Sequence, residues 1–428
     1  MKVAAGRPAK LSTRASRTSE PPIGTLMAQA LTIPGVVSLA AGFVDQESLP
    51  AAEVLSAAQV VLSDPARGKA ALQYSSTMGD LGLRRDWMRR LEREDGITPA
   101  THNFSEEHVI ITNGSQQLLK LVSEALLDPG DIVIVEAPTY FVYLGIIESL
   151  GARAVSVDCD AQGLVPDSLR AALQTLRRSG DLSRLKLVYC MSYFTNPMGV
   201  NLSGERREEL YSILEELDES GETVYLLEDA AYRPLRYDGP DLPSIKTRDT
   251  GNEFVIYTQT FSKAFSPGFK LGFGLLPDAL VAPVRRLKGN ADFGTSNFTM
   301  QLAEELLRSG AVDRHAAELR EMYRRKRDLF RQAIHEEFPE GVVTVDPAGG
   351  LYVWAQLPGA IDTGPEGPLF AAALEEKVLY VPGRFCFAPD RDAGPPARSS
   401  MRLSFGLPAP DAMVEGVARL GRAVRRVL

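Results

Sequence analysis

Cysteine is scarce: the 428 residues hold three, Cys159, Cys190 and Cys386, far apart and never in C-x-x-C spacing. That excludes a disulfide framework and a cysteine-based zinc site, and it predicts a reducing, cytoplasmic setting. Histidine is nearly as rare. His102, His108, His315 and His335 form no H-E-x-x-H pair and fall outside every motif, so they are read as structural. No apolar run approaches the roughly 20 residues that cross a bilayer, and the N-terminus lacks an apolar signal core, so no membrane is expected. The net charge of -8 contains no block of one sign, which argues against nucleic acid as a partner. No tandem repeat or metal motif is present, and Gly68-Lys69 stands without the rest of a phosphate-binding Walker pattern.

What is present is an ordinary globular composition, 44% apolar and 24% charged, long enough for two or three domains. Apolar, β-branched runs alternate with helical patterns from about 70 to 300, which predicts an α/β protein with a doubly wound, mainly parallel sheet. Its ligand then lies beyond the carboxyl ends of the strands. The central stretch is Phe254 to Gly274, a strand-like run that breaks into Thr260-Phe261-Ser262-Lys263 and a Ser266-Pro267-Gly268 turn. Lysines are usually solvated; one crowded by hydroxyls and aromatics past a buried strand is placed to become a neutral amine that attacks a carbonyl.

Other strands end on equally suggestive residues. The run from His108 to Thr112 leads through Asn113-Gly114 to Ser115 and Gln116, at the start of a helix with Leu118, Leu119, Val122 and Leu126 on one face. Strand, glycine turn and helix N-terminus make an anion site, although the same pattern also serves as a plain helix cap. Asp131 to Val135 closes on Tyr140, Leu187 to Tyr189 leads to the turn Asn196-Pro197-Met198-Gly199, and Val224 to Leu227 ends in Glu228-Asp229 with Tyr232 beyond. A helix from about His315 to Ile334 is read as core. The segment Lys2 to Arg17 is basic and reads as a disordered arm, and Pro389 to Ala397 as mobile surface.

Thr260 to Gly272 resembles the lysine motif S-x-S-K-x-x-x-P-G-x-R-x-G of fold type I, pyridoxal-phosphate-dependent aminotransferases of class I/II. The branch most resembled holds the kynurenine, 2-aminoadipate and aromatic aminotransferases. The chain departs from the motif at Thr260, in place of the first serine, and at Lys270, in place of arginine. Further similarities run in family order from Val37 to Phe405, including Val36–Gly42, Leu72-Gln73-Tyr74 with Gly79 and Arg84, Asn196-Pro197-x-Gly199, and Pro347–Trp354.

The resemblance implies a large cofactor-binding domain over 69–310 and a smaller α+β domain over 311–428, joined by an N-terminal segment, 36–68, with residues 1–35 as a partly flexible arm that folds over the active site. It implies pyridoxal 5′-phosphate as cofactor, held as a Schiff base by Lys263, whose freed amine then moves the substrate's proton. Asp229 faces the pyridine nitrogen, Tyr232 and Asn196 the 3-oxygen, and Tyr140 the ring. Ser115, Gln116, Ser262 and Lys270 surround the phosphate, Thr260 belongs to the same cofactor site, and Tyr74 of the partner subunit completes a shared site in a homodimer. Gly42, Asn196 and Arg402 meet the substrate carboxylate. Gly42 as a turn residue, Tyr74 as a core tyrosine, Asp229 as a cap and Arg402 at an exposed strand edge are the plain structural alternatives. The activity implied is amino transfer between a 2-amino acid and a 2-oxo acid, with aromatic or long-chain substrates expected from the branch. A β-lyase, decarboxylase or oxidase on the same fold stays open, because these enzymes share the cofactor site.

Overall fold

The structure, a computed structural model, describes residues 10–359 and 361–428. Its main sheet has eight strands: β1 (Val109–Thr112), β2 (Ile132–Ala137), β3 (Arg153–Asp160), β4 (Gly163–Leu164), β5 (Leu185–Cys190), β6 (Tyr225–Asp229), β7 (Val255–Thr260) and β8 (Gly272–Leu275). Their order across the sheet is β1-β8-β7-β6-β5-β2-β3-β4. The run β3-β2-β5-β6-β7 is parallel throughout. Only β8, antiparallel to β7 and β1, and the short β4 run the other way. This is the expected mainly parallel α/β fold.

Side chains alternate across each strand, and the two faces feed two cores. Ile132, Ile134, Val188, Leu226 and Val255 pack with Leu169, Leu173 and Leu176 of helix Pro166–Ser179 and with Leu210, Ile213 and Leu217 of helix Gly204–Glu219. Val133, Val135, Leu187, Leu227 and Ile256 belong to the other core, with Leu118, Leu119 and Val122 of helix Ser115–Leu126. The strands extend past their apolar runs at the carboxyl end: Glu136, Asp229 and Thr258 to Thr260 stay in the ladder although polar.

A second, four-stranded antiparallel sheet has the order Val343–Thr344, Tyr352–Gln356, Ser400–Ser404, Val381–Pro382. Trp354 pairs with Arg402 in its register. The helix read as His315 to Ile334 spans Ala311–Glu337 and buries Leu319, Tyr323, Phe330 and Ile334. Near the N-terminus, Val37–Ser38 pairs in parallel with Val378–Leu379.

Two expectations are corrected. Lys2 and Arg7 lie outside the described residues, but within the basic arm Thr13–Arg17 is helical, and an uncharged helix, Pro22–Thr32, follows it. The arm's charges serve docking: Arg14 pairs with Glu124 at 2.7 Å, and Arg17 donates to the Ser149 carbonyl at 2.8 Å. The stretch from Pro389 to Ala397 is anchored as well. Ser156 donates to Asp390 through its backbone N–H at 2.9 Å and its hydroxyl at 2.7 Å, and Arg391 pairs with Asp158. Among the described residues no helix is long and apolar enough to cross a membrane.

Candidate active site

Parallel strands end together, so β1, β2, β5, β6 and β7 deliver their following residues to one edge of the sheet. Lys263 sits on a single helical turn, Phe261–Ala264, rather than in a plain loop. Thr260 caps that turn, accepting the Ser262 N–H at 3.1 Å, and its hydroxyl donates to Ser262 Oγ at 3.0 Å. Threonine thus does the cap work of the serine it replaces. The Lys263 ammonium donates to the Gly42 carbonyl at 2.8 Å and lies 5.7 Å from the centre of the Tyr232 ring.

Asp229, 2% exposed, closes β6. It accepts hydrogen bonds from the Tyr189 hydroxyl at 3.0 Å and the Ala231 N–H at 3.1 Å. Burial pushes its carboxyl up to about 6, against the pull of those two donors and of the Lys263 charge. No salt bridge reaches it among the described residues. A buried acid placed this way matches a ring nitrogen that carries a proton.

Arg402, 2% exposed, is the matching cation. It donates to Asn196 Oδ1 at 2.9 Å and the Ala40 carbonyl at 2.7 Å, both uncharged acceptors, and its Nε has no partner. It forms no salt bridge among the described residues, and a buried guanidinium in that state is costly unless an anion joins it. Its position is therefore internal, not the exposed strand edge. Asn196 turns its oxygen to Arg402 and so keeps its amide donor for another group. Gly42 is required sterically: a Cβ there would lie 2.5 Å from the Tyr352 hydroxyl.

The helix Ser115–Leu126 opens at the same edge behind Gly114, and the Tyr140 hydroxyl donates to Gln116 Oε1 at 3.3 Å. Its first-turn N–H groups and the hydroxyls of Ser115 and Ser262 fit a phosphate. Two expected residues are not drawn in. Lys270 is exposed and its backbone is left-handed, at φ 50°. Tyr74 is 81% exposed, its ring edge-on to Phe293 at 5.4 Å. It is not a core tyrosine.

The structure also adds residues the sequence did not single out. Tyr189 orients Asp229. Tyr352, 1% exposed, places its hydroxyl 3.0 Å from that of Tyr232, and the Arg402 guanidinium covers its ring at 4.3 Å. A polar aromatic directly after Gly349-Gly350-Leu351, followed by the apolar Val353, Trp354 and Ala355, was the available clue.

Lysine and aspartate at the carboxyl edge of the main sheet, with a buried arginine of the small sheet reaching Asn196, suit amino-acid chemistry. The chain belongs to the family described as aminotransferase class I and II, which matches residues 34–418. Among its relatives, aromatic-amino-acid aminotransferase 1 of Thermococcus litoralis is 34% identical, over 91% of this chain and 88% of that protein. The kynurenine aminotransferase of Pyrococcus horikoshii has the same fold at a TM-score of 0.88, with 30% identity over 98% of each chain. The alpha-aminoadipate aminotransferase of Thermus thermophilus, solved with N-(5′-phosphopyridoxyl)-L-leucine, gives a TM-score of 0.83 and 31% identity over 97% of each chain. The chain is an aminotransferase, of a family that uses pyridoxal phosphate to exchange amino groups between small amino and oxo acids.

Proposed function

We propose that this chain binds pyridoxal 5′-phosphate through Lys263 and moves an amino group between an aromatic or long-chain 2-amino acid and a 2-oxo acid. The observation that carries the reading is two buried ionisable side chains without a salt bridge among the described residues, Asp229 at the end of β6 within the influence of the Lys263 charge and Arg402 on the small sheet against Asn196. When bound, the cofactor supplies an aldehyde for the lysine and an electron-withdrawing ring for the substrate's Cα. Asp229 would hold the ring nitrogen in its protonated form, Tyr232 and the Asn196 amide would supply donors for the 3-oxygen, and Tyr140 would face the ring. The turn at Ser115 and Gln116 would hold the phosphate, with Ser262 and Lys270, and Thr260 would cap the lysine turn beside it. Arg402 grips the substrate carboxylate over the small residue Gly42, and the Lys263 amine carries the proton from Cα as base and acid.

The reading includes a homodimer in which Tyr74 of the partner subunit reaches the phosphate. The exposure of Leu72, Tyr74 and Phe293, an apolar patch beside the site, supports a second copy there. It also divides the chain at about residues 36, 69 and 311. A cytoplasmic location is favoured by three cysteines that are all free.

The test is the visible spectrum of wild type and Lys263→Ala with pyridoxal phosphate, followed by titration of the wild type with amino acids. A band present only in wild type, and bleached by some amino acids with a 2-oxo acid as second product, supports the reading and ranks the donors. Release of ammonia, carbon dioxide or peroxide without amino transfer would move it to lyase, decarboxylase or oxidase chemistry.

A further inference from the structure

Tyr232 does not stand alone. The hydroxyls of Tyr232 and Tyr352 are 3.0 Å apart, 120 residues separate them in sequence, and either oxygen can donate. Tyr232 follows β6 in the main sheet, whereas Tyr352 opens a strand of the small sheet, so the contact joins the two. The Tyr352 ring is fixed from two sides: the Arg402 guanidinium lies 4.3 Å from its centre, and the Tyr232 ring meets it edge-on at 5.7 Å. Its hydroxyl occupies the space a side chain at Gly42 would need. The phenol has little room to swing.

The charged and titratable groups around Tyr352 are Lys263, Tyr232, Tyr140, Tyr323, Arg402 and Cys386. Burial opposes its ionisation, but the Lys263 and Arg402 charges outweigh that and hold the phenol below its ordinary value. Tyr232, buried beside it, is held well above. The more acidic of two phenols is the better donor.

A phenol has one proton to give and lone pairs to accept with. If Tyr232 gives its proton to the cofactor's 3-oxygen, Tyr352 must be the donor within the pair. We propose that Tyr352 is a positioning residue that donates to Tyr232 and so sets how strongly Tyr232 donates to that oxygen. The inference rests on the pyridoxal phosphate reading above. Hydrogen bonds in series polarise one another. A stronger donor withdraws electron density from the oxygen, which then holds the proton on the adjacent lysine–cofactor nitrogen less well. That proton leaves at lower pH.

The readout is the pH titration of the visible band of the holoenzyme without substrate. Tyr352→Phe is expected to raise the midpoint by about half a pH unit to one unit, the size of one modest hydrogen bond. Tyr232→Phe should raise it further, and the double variant should match Tyr232→Phe alone. Replacing Tyr352 with 3-fluorotyrosine, a more acidic phenol of similar size, should lower the midpoint, and it serves if the phenylalanine variant fails to fold. An unmoved midpoint in Tyr352→Phe beside a shifted one in Tyr232→Phe overturns the proposal, as does an unmoved or raised midpoint with 3-fluorotyrosine. No shift in Tyr232→Phe, with the wild-type band present, overturns the role of Tyr232 and this proposal while the cofactor reading stands; no visible band in wild type overturns the cofactor reading and the proposal with it.

Discussion

Gly272 and Ser115 are packed so closely that a Cβ on Gly272 would lie 2.4 Å from the Ser115 backbone nitrogen and 2.6 Å from the Gly114 carbonyl carbon. The strand leaving the lysine motif therefore touches the phosphate turn backbone to backbone. No flexible side chain stands between them to absorb an added methyl group.

Gly272→Ala is accordingly expected to displace the turn at Ser115. Overpacking of this kind costs about 1–3 kcal/mol. Felt at the phosphate, that weakens pyridoxal phosphate binding about 5- to 150-fold. Titration of the cofactor by absorbance measures it, with the melting temperature of the cofactor-free enzyme as a control. An unchanged dissociation constant would show that the turn does not hold the phosphate.

Arg402→Gln removes both the charge and the fork. Each charge-assisted hydrogen bond is worth about 1.5–3 kcal/mol, so two lost bonds predict a fall in kcat/KM of about 10²- to 10⁴-fold. Arg402→Lys should restore only part, because lysine lacks the planar pair of donors. The cofactor spectrum should survive in both variants. If kcat/KM survives too, the substrate carboxylate is held elsewhere.

The mainly parallel α/β fold was legible in the sequence, and strand-end position is readable from an apolar run and its break, which places Asp229 at the end of one strand and Asn196 and Lys263 beyond two others. The roles proposed for these residues, and for Arg402, rest on the resemblance to the family's motifs. Tyr352 was not legible, because its role depends on strand register: Trp354 pairs with Arg402, which brings the guanidinium diagonally over the Tyr352 ring. The reason for Gly272 is a contact with Ser115, distant in sequence, and composition shows the charge of the N-terminal arm but not Glu124 and Ser149, which receive it. Strand ends ran short in the reading for a related reason. Glu136 and Thr258 to Thr260 look like breaks in apolar runs, yet the sheet pairs them as strand.

Lys270 stands where the family has arginine, and in the proposed site it would have to meet the phosphate from an exposed position. Lysine brings a charge without a fork. Lys270→Arg should tighten pyridoxal phosphate binding about fivefold, the effect of one added hydrogen bond of about 1 kcal/mol. The dissociation rate of the cofactor from the two enzymes is the measurement. Equal rates would mean that residue 270 does not meet the phosphate.

Glu136, at the end of β2, offers a test in the cofactor-free protein. Its carboxylate accepts from the Met191 N–H at 3.1 Å and from the Cys190 thiol at 3.8 Å. Burial pushes its acid from an ordinary 4.5 up to about 8, those two donors offset part of the rise, and the nearby Asp229 adds to it. Between these values the native state keeps a proton that the unfolded chain has released. Stability then falls as pH rises, by at most about 1.4 kcal/mol per pH unit for one group. Below this range both states are protonated, and above it both are ionised, with the full penalty of a buried charge in place. Glutamine can still accept from Met191 but cannot ionise. Glu136→Gln should therefore gain stability relative to wild type as pH climbs from about 4.5 to 8, read from urea midpoints at both ends of the range. Asp229 pulls in the same direction at lower pH, but it is present in both proteins and leaves the difference untouched. Parallel pH profiles would mean that Glu136 is already an anion at neutral pH, stabilised by its hydrogen bonds rather than kept protonated by burial.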